Sequence, residues 1–534
     1  MKKLMKNIIL STLISSFGLS GCVNSNLSNS SSHSSSSINS VSSSEKESSI
    51  INSSSSSYSN SNTDTTNGIY DDKTGLYFSL NYDKKSYSVG AGSKTSGSEF
   101  NVPSTFNGLP VNKVNDEGFI NYKDLEKIEL PNSIDQIGYQ AFLGCENLNS
   151  VVIPSNIEII SNSAFADCAS LKNVTLPESL ETLLYGAFEN CYSLESITIP
   201  SKIKKIDFDT FANCYNLETV NLPSSLTNIG ETAFTNCYKL TYISLPSTLK
   251  RIDYKAFYGC YSLYEVDNNS GLKLLKERSD NGYISYYARI IYNQNGSTTY
   301  RYGVTTTIGE YENFKYTYDS NNGYLVFKYL GNDANVQMPS KIENSDYSLD
   351  SHVFYNNHDL VSLTLPNCIS AIEKNTFTYC SNLEAISLGN KISKIGDEAF
   401  YECRKLKDIE IPSSVNSIGK SAFFQCEKIK QVTIPEGVTS LSAYAFSHCF
   451  GIEKLSLPST LRSINIGVFS HCTSLTKVVI PSSVTDIEVV AFYWCGDLEL
   501  YAEASSMPSG WKEIDCKVHF ANEWHYVNNE PTLK

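Results

Sequence analysis

The sequence predicts an α/β repeat solenoid, in which short strands and helical turns wind around one long core. Three columns of residues point to it. Proline recurs at Pro131, Pro154, Pro177, Pro200, Pro223 and Pro246, and phenylalanine at Phe142, Phe165, Phe188, Phe211, Phe234 and Phe257. Cysteine follows at Cys145, Cys168, Cys191, Cys214, Cys237 and Cys260, each column with a period of 23 residues. After about a hundred residues the order returns, with Phe377, Phe400, Phe423, Phe446, Phe469 and Phe492 leading Cys380, Cys403, Cys426, Cys449, Cys472 and Cys495. A fixed period of about 20–29 residues is the mark of a leucine-rich solenoid. Such a chain is built to present a long surface.

Each element can be justified on the repeat from Leu148 to Cys168. Leu148, Val151 and Ile153 point inward from a short strand, the last two at the strand period of two. Pro154 ends the strand because it has no N–H to give to a ladder. Ile157 and Ile160 fill the returning segment. Ala164, Phe165 and Cys168 are read as one helical turn, since a spacing of three keeps Phe and Cys on one face. One repeat cannot cover this apolar face alone, but stacking at about 4.8 Å makes the core continuous.

The chain has fifteen cysteines, and twelve hold the same place in successive repeats. Neighbours in that ladder would point their Cβ atoms in parallel rather than at one another, which disfavours disulfides. They are read as small buried thiols. Tyr122 and Asn357 take the same place where each array opens, and Cys368 and Cys516 lie outside the ladder.

The N-terminus is of another kind. Lys2, Lys3 and Lys6 precede an apolar stretch from Ile8 to Ser20, too short to span a bilayer as a helix. It closes on Leu19-Ser20-Gly21-Cys22, which is similar to the lipobox of bacterial lipoproteins and implies lipidation of the Cys22 thiol. Serine then dominates to Asn67, a composition that cannot bury a core. As a tether it would reach about 35–40 Å. The expected organisation is a signal peptide (1–22), tether (23–67), opening hairpin and cap (68–118), first array (119–266), Tyr-rich insertion with a second opening hairpin (267–345), second array (346–499) and C-terminal cap (500–534).

The repeat resembles that of the BspA-like, or Treponema-type, leucine-rich repeat surface proteins. Leu171-Val174-Leu176-Pro177-Leu180-Leu183-Ala187-Phe188-Cys191 matches their pattern, and so does Leu406-Ile409-Ile411-Pro412-Val415-Ile418-Ala422-Phe423-Cys426. Departures are few: Gly389 stands for the proline, and Thr210, Thr376 and Val468 for the alanine. Ser279 to Tyr283 with Tyr286-Tyr287-Ala288, and Met507-Pro508-Ser509-Gly510-Trp511, resemble central and closing segments of the same family.

Chemistry-bearing motifs are scarce. No phosphate loop, paired-histidine zinc motif or nucleophile elbow stands out, so no enzyme, cofactor or metal is expected. A net charge of −14 with no basic stripe argues against nucleic acid. His448 and His471 stand one period apart as two would-be ligands, at a position that elsewhere holds Asp167, Asn190, Gly259 and Gln425. The open strand face carries only small polar side chains such as Thr175, Thr198 and Asn221. One column suggests binding. Tyr192, Tyr215, Tyr238 and Tyr261 directly follow four ladder cysteines, with Tyr242 and Tyr264 close by. Stacked at the repeat spacing they would give a strip of aromatic faces with wet hydroxyls, suited to protein or sugar, or a ladder that only stiffens the array.

The expectation is a lipid-anchored bacterial surface protein that binds through its repeats. The resemblance implies adhesion, to a protein or glycan of host extracellular matrix, mucin or another bacterial surface, with membrane contact through the lipid alone. Two alternatives stay open: a structural spacer contacting cell-wall polymer or neighbouring proteins, and an enzyme site within Asp267 to Asp319.

Overall fold

Two short parallel strands and a run of tight turns make up the repeat, so the solenoid is a β-solenoid. It has about 18 turns, and helix accounts for 2%. The computed structural model describes residues 68–274, 280–300, 306–407, 409–512 and 514–534. Cys22, the expected signal peptide and the serine-rich tether lie outside the described residues.

The first strand is the segment expected. Asn173–Thr175 pairs in parallel with Ser150–Val152, and Ser196–Thr198 with Thr219–Asn221. The returning segment is a second strand. Ile159–Ile160 pairs with Thr182–Leu183, and Lys205–Ile206 with Asn228–Ile229, in a sheet that runs on to Arg251–Ile252. Two residues suffice for each rung, one turned inward (Ile160) and one outward (Ile159).

The expected helical turn does not form. Two residues in each repeat sit in the left-handed region, Ser163 (φ 51°) with Asp167 (φ 58°) and Asp209 (φ 53°) with Asn213 (φ 61°), which a right-handed helix cannot contain. The chain instead makes successive tight turns, with the Ala164, Ala166 and Cys168 N–H groups each donating to the carbonyl three residues back. These turns stack as a third wall: Ser163, Phe165 and Asp167 donate N–H groups to the Tyr185, Ala187 and Glu189 carbonyls of the next repeat.

Inside this wall the phenylalanines form two columns. From Phe119 to Phe257 and from Phe354 to Phe492 the ring centroids lie 5.0–5.7 Å apart with planes within 16°. Beside them stand the cysteines, and all fourteen described cysteines are free. Each ladder thiol donates to the phenylalanine carbonyl of the preceding repeat, as Cys191 Sγ does to Phe165 O at 3.2 Å. The same oxygen accepts the Cys168 N–H at 3.4 Å, so a buried carbonyl has both lone pairs used. Where each column opens, other bonds take the place of the thiol: the Tyr122 hydroxyl donates to Gly97 O, and the Asn357 amide oxygen accepts the Asp359 and Leu360 N–H groups.

Antiparallel strands begin each stretch. Ile69–Asp71, Leu76–Leu80 and Tyr87–Gly90 form a meander whose last strand pairs in parallel with Leu109–Val114. Thr307–Tyr311, Phe314–Asp319 and Gly323–Tyr329 repeat the plan before Tyr347–Leu349. Between them the turn wall gains one more rung, where Phe257 N–H donates to Gly282 O at 2.8 Å and Ile284 and Tyr287 enter the core. Ile290–Asn293 then pairs antiparallel with Thr298–Tyr300. Buried residues accordingly form two clusters, Leu76 to Ile291 and Phe314 to Trp511. Side chains outside both clusters bridge the two stretches: Arg289 pairs with Asp350 and lies 4.6 Å over the Phe327 ring, which Tyr264 also touches. At the C-terminal side the Trp511 and Trp524 indoles donate to the Val484 and Ala502 carbonyls.

Burial pushes the Cys191, Cys403 and Cys472 thiols well above their ordinary value, whereas Cys368 is half-buried and less displaced. Only thiolate reacts with alkylating agents. Among the fourteen described cysteines, iodoacetamide should therefore modify Cys368 first and spare the twelve ladder thiols until denaturant is added. Mass spectrometry of the native and unfolded chain checks this, and early labelling of the ladder would contradict the packing.

Candidate functional site

The tyrosine column grows out of the same turn wall. The residue before each ladder cysteine is left-handed, at Asp167, Asn190, Asn213, Asn236 and Gly259. Asparagine tolerates that conformation, and here its amide also runs a ladder: Asn190 donates to Asp167, Asn213 to Asn190 and Asn236 to Asn213, at 2.7–2.8 Å. At Gly259 (φ 80°) the ladder stops, because glycine has no side-chain amide to donate to the Asn236 oxygen. The left-handed residue turns the chain so that cysteine points inward and the next residue outward. That residue is tyrosine in four consecutive repeats.

The rings stack face to face. Tyr192 and Tyr215 lie 4.8 Å apart at 13°, Tyr215 and Tyr238 4.8 Å at 15°, and Tyr238 and Tyr261 5.9 Å at 7°. This spacing is close to that between paired strands. The expected strip of aromatic faces does not form: stacking covers the ring faces, and the column presents edges and hydroxyls instead.

The six tyrosines do not share one environment. Tyr192 is exposed and Tyr215 half-buried. Tyr355 packs against Tyr238 at 5.0 Å and Tyr261 at 4.6 Å, while His352 stacks on Tyr261 at 4.1 Å. Tyr264 faces Phe327. Three of the six therefore meet residues of the 327–355 segment, distant in sequence from the column. Tyr242 stands on the strand face and donates to Asp267 at 2.5 Å. Burial raises the phenol pKa of Tyr215 to about 12 and lifts those of Tyr238 and Tyr261 further.

Carboxylates surround the open end. The Tyr192 phenol is raised by partial burial and then by Asp167, Glu189 and Glu146. Glu189 is itself pushed up to about 7 by burial, with Asp209 and Asp167 adding to it. On the other flank, Ser193 and Asn216 line a groove with Lys172, Glu195, Glu218 and Lys239.

His448 and His471 do meet. Their rings stack at 4.1 Å and 12°, half-buried rather than turned to solvent, and continue a column from Tyr401 and Phe424 to Trp494. Parallel rings hold their nitrogens in separate planes, an arrangement that does not converge on one ion. Burial, then His471, lowers the His448 pKa to about 4. Among the described residues no group of three or more His, Cys, Asp or Glu could hold a metal, and no helix is long and apolar enough to cross a membrane. Tyr355, next to the core Phe354, and His352, two residues before it, look solvent-facing within one repeat. Their aromatic character was the only signal.

A family model described as the BspA type leucine rich repeat region matches residues 94–218, 181–283, 323–415 and 393–517. Among solved structures, a leucine rich cell surface protein from Faecalibacterium prausnitzii A2-165 is 27% identical, covering 77% of this chain and 93% of its own, with a TM-score of 0.36. A leucine-rich repeat protein from Bacteroides ovatus is 22% identical over 80% of this chain and 98% of its own (TM-score 0.34). The T. pallidum leucine rich repeat protein is 26% identical over 36% and 91% (TM-score 0.33). No curated protein matches the chain significantly.

The Glu189 carboxyl carries a testable sign. Its folded pKa lies above the ordinary 4.5, so the folded state holds the proton more tightly than the unfolded one. That contribution is complete below the unfolded value and is lost as pH rises through about 7. Glu189→Gln should therefore raise the urea midpoint relative to wild type at about pH 8 and leave it unchanged at about pH 4. Equal midpoints at both would show that Glu189 is not confined as described.

Proposed function

Since the chain belongs to the BspA-type leucine-rich repeat family, we propose that it is a cell-surface binding protein. In this reading lipid at Cys22 holds it to the bacterial membrane, a serine-rich tether lifts it, and two arrays of 23-residue repeats present its side walls. The observation that carries a binding role is the outer part of the tyrosine column. Tyr192 and Tyr215 are held in one orientation by stacking and by a backbone that repeats beneath them. Aromatic side chains immobilised before a ligand arrives lose little entropy on binding, and such residues dominate interface energetics. Tyr238, Tyr261 and Tyr264 serve as the floor on which the second array rests. The ligand is a protein or glycan of a host matrix, mucin or another bacterial surface.

A second reading is favoured by the cover over Tyr238 and Tyr261. There the whole column is a structural seam, and the chain spaces the envelope by contacting wall polymer or neighbouring proteins.

Binding of the purified full chain to matrix proteins, mucin glycans and cell-wall fragments separates the two. Saturable binding to a matrix protein or glycan supports the first reading; binding to wall fragments alone, or to nothing, supports the second. Under the first, replacing Tyr192 and Tyr215 by alanine should weaken binding at least about fivefold and lower the free energy of unfolding by no more than about 3 kcal/mol, the loss of two ring stacks. Cys22→Ser should move the chain from the membrane fraction to the soluble one, and retention would remove the lipid anchor from the proposal.

A further inference from the structure

We propose that the outer end of the column takes a cationic segment of a protein partner, with a lysine or arginine side chain on the free face of Tyr192 among the carboxylates around it. The proposal rests on the binding reading of the column and names the chemistry of its ligand.

Three observations carry it. First, a face-to-face stack leaves an open face only at its ends. The Tyr261 end is closed by His352 and Tyr355. At the Tyr192 end the preceding repeat holds Ala169, placed there by the Ser193 N–H bond to Ala169 O at 3.1 Å, and a methyl group cannot cover a phenol ring. Tyr192 is 38% exposed as a result. The face of an aromatic ring is its electron-rich side and attracts cations.

Second, the surrounding charge has the right sign. Glu146, Asp167 and Glu189 all act on the Tyr192 phenol. Glu146 is bridged to Lys123 at 2.7 Å, and Asp167 accepts the Asn190 amide at 2.7 Å, so the end of the column keeps net negative charge after its internal pairings. Sialylated or sulfated glycans would be repelled here, and a neutral sugar would gain nothing from the carboxylates.

Third, there is room beside the ring for more than a single side chain. The groove that begins at Ser193 and Asn216 runs past Glu195 and Glu218, and Glu218 is met by Lys239 at 3.8 Å. Its mixed signs suit the backbone and polar side chains of an extended segment. A cation arriving next to Glu189 favours its ionised form against Asp167 and Asp209, so binding releases a proton and tightens as pH rises through about 7.

The test uses a fluorescent oligo-lysine peptide of about ten residues, with neutral and oligo-glutamate peptides of equal length, and anisotropy of each with the full chain. Oligo-lysine is expected to bind saturably and the other two not to bind. Tyr192→Phe, which keeps the ring, should hold affinity within about twofold, and Tyr192→Leu should weaken it about three- to fivefold. Glu189→Gln should weaken it and flatten its dependence on pH. Equal affinity of wild type and Tyr192→Leu for oligo-lysine would overturn the proposal, since attraction would then be diffuse over a chain of charge −14. If Tyr192→Leu abolishes capture of a matrix protein or glycan with which oligo-lysine does not compete, the column binds but its ligand is not cationic. If neither kind of ligand responds to Tyr192→Leu, the column reading falls as well.

Discussion

The structure depends on a pair of left-handed residues in every repeat. Ser163 with Asp167 and Asp209 with Asn213 fold the chain into tight turns where an unbroken helix would otherwise run. Those turns set the phenylalanine rings one above another, place each thiol under the carbonyl of the preceding phenylalanine, and throw the following residue outward. Core and surface columns are thus two sides of one backbone constraint. A residue that tolerates positive φ is therefore needed before each cysteine, and asparagine meets the need in three successive repeats while adding its own amide ladder.

The cysteine position shows how a small residue can be chosen for a hydrogen bond rather than for a crosslink. A buried carbonyl oxygen has two lone pairs, and a second donor uses the one that the turn leaves open. The thiol is small enough for the crowded rung, and it still donates. Alanine would fit but leave the carbonyl half satisfied, whereas serine would bring a hydroxyl with stronger demands of its own. A ladder that looks in sequence like a disulfide framework thus carries no covalent bond among the described residues.

Much of this was legible in the sequence because it repeats. The phenylalanine and cysteine columns, the inward Val and Ile positions and the stacking of Tyr192 on Tyr215 all follow from one period. The helical turn was misread for a physical reason: Phe165 and Cys168 lie three apart, and a tight turn and a helical turn place such residues on one side equally well. The second strand escaped because two residues, Ile159 and Ile160, are too few to show an alternation. The cover over Tyr238 and Tyr261 could not be read at all. It is made by His352 and Tyr355, distant in sequence, and no local pattern records which segment will pack on which. Stacking therefore predicted the geometry of the column but not which rings stay open.

A stack of rings that is closed at one end offers a single platform however many rings it contains. Lengthening the array with more tyrosine repeats would strengthen the stack without adding a second place to dock. The natural way to build a firm hold from such a chain is through numbers: many copies side by side, each making one weak contact, with rebinding raised by the local concentration of neighbours. On the proposed binding reading, attachment would then grow steeply with the density of the protein on the cell, and the level at which it is displayed would be as strong a control as the affinity of any one molecule.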